Sequence, residues 1–157
     1  MIHASPNPTA LAPTFPAMPG ALEATPLVTG NAVVWSLFWR AFTGMLAVDI
    51  FGLVRDFARM HRFVSQRRVG QPKAPRPTVT QVCTAINYAC VWYPKRVLCL
   101  QRSIVTTCLL RSYGIPASMI VGAQTLPFKA HAWTEVDGNA VNERRAVKAI
   151  YDVLERW

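Results

Sequence analysis

The sequence predicts an α+β domain in which helices pack on a small antiparallel sheet. Three observations carry that reading. Apolar residues recur at helical spacing over Asn31 to Ser65, Thr78 to Val91 and Leu98 to Tyr113, the period switches to two beyond Gly114 and Pro116, and Asp137-Gly138 marks a hairpin between alternating segments. With 157 residues, 52% of them hydrophobic and 16% charged, the chain can bury one core and is not a wholly disordered polymer.

Residues 1–30 hold Pro6, Pro8, Pro13, Pro16, Pro19 and Pro26 among small residues, which predicts a flexible tail because proline removes backbone donors. Proline is then absent over residues 31–66, where Trp35, Phe38, Phe42, Leu46, Ile50, Leu53, Phe57 and Met60 follow a helical period. One long helix is expected, or two joined near Gly44 or Gly52. Val33 to Val54 approaches the ~20 residues of a membrane span, but Arg40 and Asp49 would each cost about 2.5–3.5 kcal/mol at mid-bilayer. A packed helix, or one lying on a membrane surface, is the expectation.

Gly70, Pro72, Pro75 and Pro77 among basic residues make 67–77 a linker, and residues 78–157 form the unit that carries the chemistry. Within it Thr78 to Val91 is expected as a helix with a Thr near its start, and Pro94 stops it. Leu98 to Tyr113 is a second helix, closed by Gly114 and Pro116. Ala117 to Ala123 and Lys129 to Val136 are strands, Asp137-Gly138 turns the chain, and Ala140 to Glu143 returns as a third strand. Val147, Ile150, Tyr151 and Leu154 sit at helical spacing, so Ala146 to Trp157 is expected as a final helix.

The net charge of +9 favours an acidic partner: nucleic acid, an anionic membrane or an acidic peptide. Seven of the 17 Lys and Arg residues fall between Arg55 and Arg76, opposed only by Asp56, so the excess is local. Met1 to Gly30 lacks the basic start and continuous apolar core of a secretory signal, which points to a cytoplasmic protein with reduced thiols. Cys83, Cys90, Cys99 and Cys108 contain no C-x-x-C pair, so neither a structural zinc nor any other cofactor is implied.

Cys99 falls in the first turn of its helix, where free backbone N–H groups and the helix dipole favour an anion, and Lys95, Arg96 and Arg102 add positive charge. Position alone fits a small buried residue at least as well, and Cys83, Cys90 and Cys108 fit packing better still. His131 sits on a strand in K-A-H-A-W-T-E, with Trp133 and Glu135 on its face by alternation. A helix-start Cys facing a strand His is the pair that nucleophilic amide cleavage needs, with a third group to orient the base. Glu135 is expected at the surface, and Trp92, Tyr93, Phe128 and Trp133 are candidates to line a groove.

The strings C-L-Q-R-S, R-S-Y-G-I-P-A-S-M-I-V-G-A and P-F-K-A-H-A-W-T-E-V-D-G-N-A-V-N-E resemble the microcin-processing, lasso peptide leader-peptidase family. These are transglutaminase-like cysteine proteases with a papain-like core. The resemblance is close over Trp92 to Glu143, with the Cys thirty-two residues before the His, and leaves residues 1–30 outside it. It implies Cys99 as nucleophile, His131 as general base and Glu143 as orienting acid, where the family usually has Asp. Strand parity leaves a choice: a two-residue turn would bring Asn142 to the His131 face, and a three-residue Asp137-Gly138-Asn139 turn would bring Glu143. The resemblance favours Glu143. It further implies a precursor peptide as substrate, and a separate leader-recognition protein and an ATP-dependent lasso cyclase as partners. It implies no nucleic acid, and peripheral membrane contact stays open. Two rivals remain at this stage: an acyltransferase that passes the acyl group to an amine, and a non-catalytic basic module for nucleic acid or anionic lipid.

Overall fold

Helix follows helix until Gly114, and every strand among the described residues comes after it. The computed structural model describes residues 27–54, 57–71, 76–143 and 146–157. Helices α1 (Leu27–Val54), α2 (Phe57–Gln66), α3 (Val79–Trp92) and α4 (Cys99–Ser112) precede strands β1 (Ala117–Gln124), β2 (Lys129–Val136) and β3 (Asn139–Ala140). A 3-10 turn at Val147–Ala149 leads into β4 (Asp152–Arg156), and the antiparallel sheet has the order β3-β2-β1-β4. The fold is therefore α+β, as the change of period predicted. The tail expected over residues 1–30 lies outside the described residues up to residue 26, and α1 starts at Leu27, ahead of Asn31.

The capping chemistry of α3 and the closure of α4 match their sequences. Thr78 accepts from the Gln81 N–H while the Gln81 side chain accepts from the Thr78 N–H, a reciprocal cap that satisfies two orphan donors. At the end of α4, Gly114 takes φ 75°, and the Gly114 and Ile115 N–H groups donate to Arg111 and Leu110 carbonyls.

Helix α4 lies between two layers. On one side Leu37, Phe38, Ala41 and Met45 of α1 and Val82, Ala85, Ile86 and Ala89 of α3 form a core with Val105, Leu109 and Leu110. On the other side Ile104 packs with Met119, Ala132 and Trp157 beneath the sheet. Enclosure on both sides buries polar residues, and each finds a partner. Ser103 Oγ donates to the Ala132 carbonyl at 3.0 Å, Thr107 and Thr134 hydroxyls meet at 3.1 Å, and Gln101 Nε2 donates to the Met45 carbonyl at 2.9 Å.

Ala32–Gly52 of α1 is long and apolar enough to cross a membrane. One stripe of it is the core just described. The opposite stripe exposes Trp35, Trp39, Leu46 and Ile50. Asp49, the acidic residue weighed against a span, accepts from Tyr93 Oη and from Gln101 Nε2 and pairs with Lys95 at 2.8 Å. Burial pushes its carboxyl up, but the Lys95 and Tyr93 contacts outweigh that and hold it below the usual range. Burial and the same Asp49 contact push the Tyr93 phenol up to about 12.

The final helix expected over Ala146 to Trp157 is not formed. That segment is the 3-10 turn and β4, which pairs antiparallel with β1 from Ala123↔Asp152 to Ile120↔Arg156. Trp157 decides the outcome. Its ring is buried beside Met60 and Val64, and Trp157 and Met119 exchange both backbone hydrogen bonds, which holds the chain extended. Gly122 permits the pairing, because a Cβ there would stand 2.8 Å from the Asp152 carbonyl oxygen and 2.9 Å from the Trp133 ring.

Arg111 joins these parts. Its buried guanidinium donates to the carbonyls of Ala117 (2.7 Å), Val64 (2.9 Å), Arg67 (3.1 Å) and Trp157 (2.8 Å). Arg111→Met removes those donors and strands buried acceptors, so a loss of about 3 kcal/mol or more is expected. Arg111→Lys restores the charge but not the planar fork and is expected to recover less than half of the loss. Urea unfolding of the two variants measures both.

Candidate active site

The first turn of α4 begins without a side-chain cap: Leu98 is the cap residue, and its side chain makes no capping bond. The N–H groups of that turn are thereby left for another acceptor. Cys99 opens the helix, half-buried, and packs on the cluster of Ile104, Met119 and Ala132. Burial pushes the Cys83, Cys90 and Cys108 thiols up, so all three are protonated at neutral pH. Cys83 in addition donates to the Val141 carbonyl at 3.3 Å.

The position of Cys99 against the sheet follows from helix spacing. Cys99, Ser103 and Thr107 share one stripe at i, i+4 intervals, Ser103 lies on Ala132 and Thr107 on Thr134. Cys99, one turn earlier, stands toward the Lys129–His131 end of β2. His131 is half-buried there, and its Nε2 is 3.2 Å from Glu143 Oε1. Its ring faces Trp133 at 6.3 Å and Tyr151 at 5.2 Å between centroids. At Nδ1 no hydrogen bond is made among the described residues. Among the described residues no hydrogen bond joins the Cys99 thiol to His131; the structure brings His131 and Glu143 together, and helix spacing alone sets Cys99 toward the same end of β2. Two of the three cations expected around Cys99 are engaged elsewhere: Lys95 with Asp49, and Arg102 with Asn87 Oδ1 at 2.7 Å.

The turn between β2 and β3 has two residues, with Val136 opposite Asn139, Asp137 at φ 49° and Gly138 at φ 76°. The three-residue turn is therefore corrected, yet Glu143 rather than Asn142 meets His131. Parity fails because β3 ends at Ala140 instead of running to Glu143. Val141 makes the last backbone bond to Thr134, after which the Asn142 side chain takes over, accepting from the Thr134 N–H at 2.8 Å and donating to Ser103 Oγ at 3.2 Å. Asn142 is held between β2 and α4, and the next residue is delivered to His131.

Glu135, expected at the surface, is 2% exposed and accepts from Trp133 Nε1 at 3.0 Å and Arg156 at 2.9 Å, with Lys148 at 3.3 Å. The physical reason is its strand face. Trp133 and Glu135 alternate with His131 toward the layer that β4 and the 3-10 turn cover, where Ile120, Val147 and Tyr151 pack. Trp-x-Glu on a strand was the signal for this pair, and Tyr151 was hidden by the mistaken final helix. Of the candidate groove aromatics, Trp133 and Tyr93 are interior and Trp92 and Phe128 are exposed.

A family model described as the Transglutaminase-like superfamily matches residues 44–156. The chain is also similar to the Microcin J25-processing protein McjB of Escherichia coli, 38% identical over 45 residues. That match spans 29% of this chain and 22% of the relative. No solved structure matches.

Burial raises the Glu135 carboxyl, but the hydrogen bonds from Trp133, Arg156 and Lys148 outweigh it, and the folded value lies below the ordinary 4.5. A carboxyl depressed by folding contributes stability above its ordinary value, and that contribution disappears as pH falls through the lower folded value. Unfolding midpoints followed from pH 6 to pH 2 are expected to fall less steeply for Glu135→Gln than for the parent, which starts from the higher stability at pH 6.

Proposed function

Because this chain belongs to the transglutaminase-like superfamily, we propose that it is a cysteine peptidase that removes the leader from a lasso peptide precursor. The observation that carries this reading is the His131–Glu143 contact of 3.2 Å at the end of β2 toward which the uncapped first turn of α4 brings Cys99. The relative named for microcin J25 processing supports the substrate class.

In this mechanism the Cys99 thiol gives its proton to His131 Nδ1 and attacks the scissile carbonyl carbon. Glu143, bonded at Nε2, fixes the tautomer that leaves Nδ1 basic and stabilises the imidazolium. The Cys99 N–H and its neighbours in the open first turn donate to the oxyanion. His131 then protonates the departing amine, a thioester remains, and water resolves it with His131 again as base. A separate leader-recognition protein would present the precursor, and an ATP-dependent cyclase would take the freed core.

Asn142 has a different task. By bonding Thr134 and Ser103 it sets the backbone from which Glu143 reaches the imidazole. It is a positioning residue that does not touch the reacting atoms.

The test is to mix the protein with the precursor peptide encoded near its gene, with and without the recognition protein, and to weigh the products. Free leader and core are expected. An amine adduct without free leader would transfer the assignment to the acyltransferase reading. Cys99→Ala is expected to abolish cleavage, while Cys83→Ala and Cys90→Ala keep it. Glu143→Gln preserves shape without charge and is expected to lower kcat by roughly two to four orders of magnitude with little change in KM. Parent rates for Glu143→Gln together with inactive, folded Asn142→Ala would reverse the two roles.

A further inference from the structure

A cavity of about 550 Å³ opens between α1, α2 and α4, lined by Gly44, Phe51, Met60, Ile104 and Cys108 among others. That volume and lining suit a small number of large apolar side chains. Arg40 and Arg67, both exposed, belong to the same wall. Their guanidinium groups lie over the rings of Tyr113 and Phe63, and among the described residues neither pairs with a carboxylate. An apolar cavity edged by two unpaired cations fits a ligand that is apolar at its centre and acidic at its margins.

The place of the cavity narrows the ligand further. Met60, Ile104 and Cys108 belong with Cys99 to one apolar cluster, which links the cavity to the end of α4 that carries the thiol. Cys108 follows Cys99 by nine residues on α4, about 13 Å along the axis at ~1.5 Å per residue and, at ~3.6 residues per turn, half a turn around a helix ~10 Å across. An extended peptide covers that combined span, about 17–20 Å, in about five or six residues at ~3.3 Å each.

Resting on the peptidase reading above, we infer that this cavity is a substrate-docking site. It takes a large apolar residue of the peptide, flanked by Asp or Glu, about five or six residues from the bond that Cys99 cleaves. The cavity then serves as a ruler. The apolar side chain enters between α1 and α4, the acidic neighbours meet Arg40 and Arg67, and the scissile carbonyl is carried to the first turn of α4. An acyl chain would fill the apolar space, but the distance to Cys99 would be irrelevant to it.

The full chain carrying Cys99→Ala is titrated against fluorescein-labelled 12-residue peptides in which a Leu-Phe pair is flanked by Glu or by Lys, with laurate as competitor. The Glu-flanked peptide is expected to bind at least roughly tenfold more tightly than the Lys-flanked one, and to lose that margin in Arg40→Glu/Arg67→Glu. Ala47→Trp fills the cavity from α1, and is expected to weaken the same peptide roughly tenfold while the thermal midpoint stays at the parent value. Equal binding of both peptides, binding unchanged in both variants, or displacement by laurate with no peptide preference would each overturn the docking site. Because binding is read without cleavage, these outcomes leave the peptidase reading standing. Conversely, tight cavity-dependent binding by a protein that releases no leader would sink the peptidase reading alone.

Discussion

The arrangement hangs on one buried cation. Arg111 sits near the end of α4 and reaches four main-chain oxygens that converge from separate parts of the chain: two at the end of α2 and beyond, one at the start of β1, and one at Trp157. The carbonyls that end a helix carry the negative pole of its dipole, so a guanidinium beside Val64 and Arg67 is placed where a cation stabilises most. A planar group with five donors can serve four acceptors at once, which an ammonium on a flexible stem does not do. The same residue returns the favour through its own carbonyl, which accepts from Gly70 at 2.7 Å and Gly114 at 3.1 Å. This junction adds to the packing of Met60, Val64 and Trp157 on Ile104 in registering α2 and the C-terminal strand against α4. Burial pulls the Arg111 guanidinium below its usual range, yet the charge is retained because that range begins so high.

Much of this was legible in the residues. The Thr78 and Gln81 pair, the Gly114-Ile115-Pro116 closure, and the alternation over Lys129 to Val136 are local signals, and local chemistry decided them. The C-terminal segment was not legible, because Val147, Ile150, Tyr151 and Leu154 satisfy a helical period while the deciding contacts lie far away. Trp157 is drawn under α2, where His61 meets its ring at 4.6 Å, and the backbone must follow into the sheet. A twelve-residue propensity is worth less than the burial of one indole and a row of ladder bonds.

The site shows the same division. The Cys and His positions follow from a helix start and a strand, both readable. The third residue could not be placed by counting, since parity presumes that β3 continues, and it stops after two residues. What stops it is satisfaction by other means: the Asn142 amide offers Thr134 an acceptor equal to a backbone carbonyl, and Ser103 on α4 supplies the counterpart for its own N–H. The buried polar groups of α4 are thus engaged in defining where the strand ends. Glu135 is hidden from sequence reading for the opposite reason. Its charge argued for the surface, and only the convergence of Trp133, Arg156 and Lys148 makes burial tolerable.

Glu143 reaches the His131 imidazole with an arm one methylene longer than an aspartate's. Asn142 is pinned at two atoms, so the backbone after it has little freedom, and the distance from that backbone to the His131 ring is fixed by β2 and α4 together. A carboxylate must cover that distance with its own arm. Glu143 meets Nε2 at 3.2 Å with the carboxylate partly shielded, its side chain 18% exposed. A backbone shift that brought a shorter arm closer would strain the Asn142 bonds, and those bonds are buried, where an unsatisfied amide costs about 1–3 kcal/mol. The longer acid is then the counterpart of the Asn142 anchor, and the two positions belong to one device: one residue ends the strand, and the next uses the fixed end to hold the imidazole.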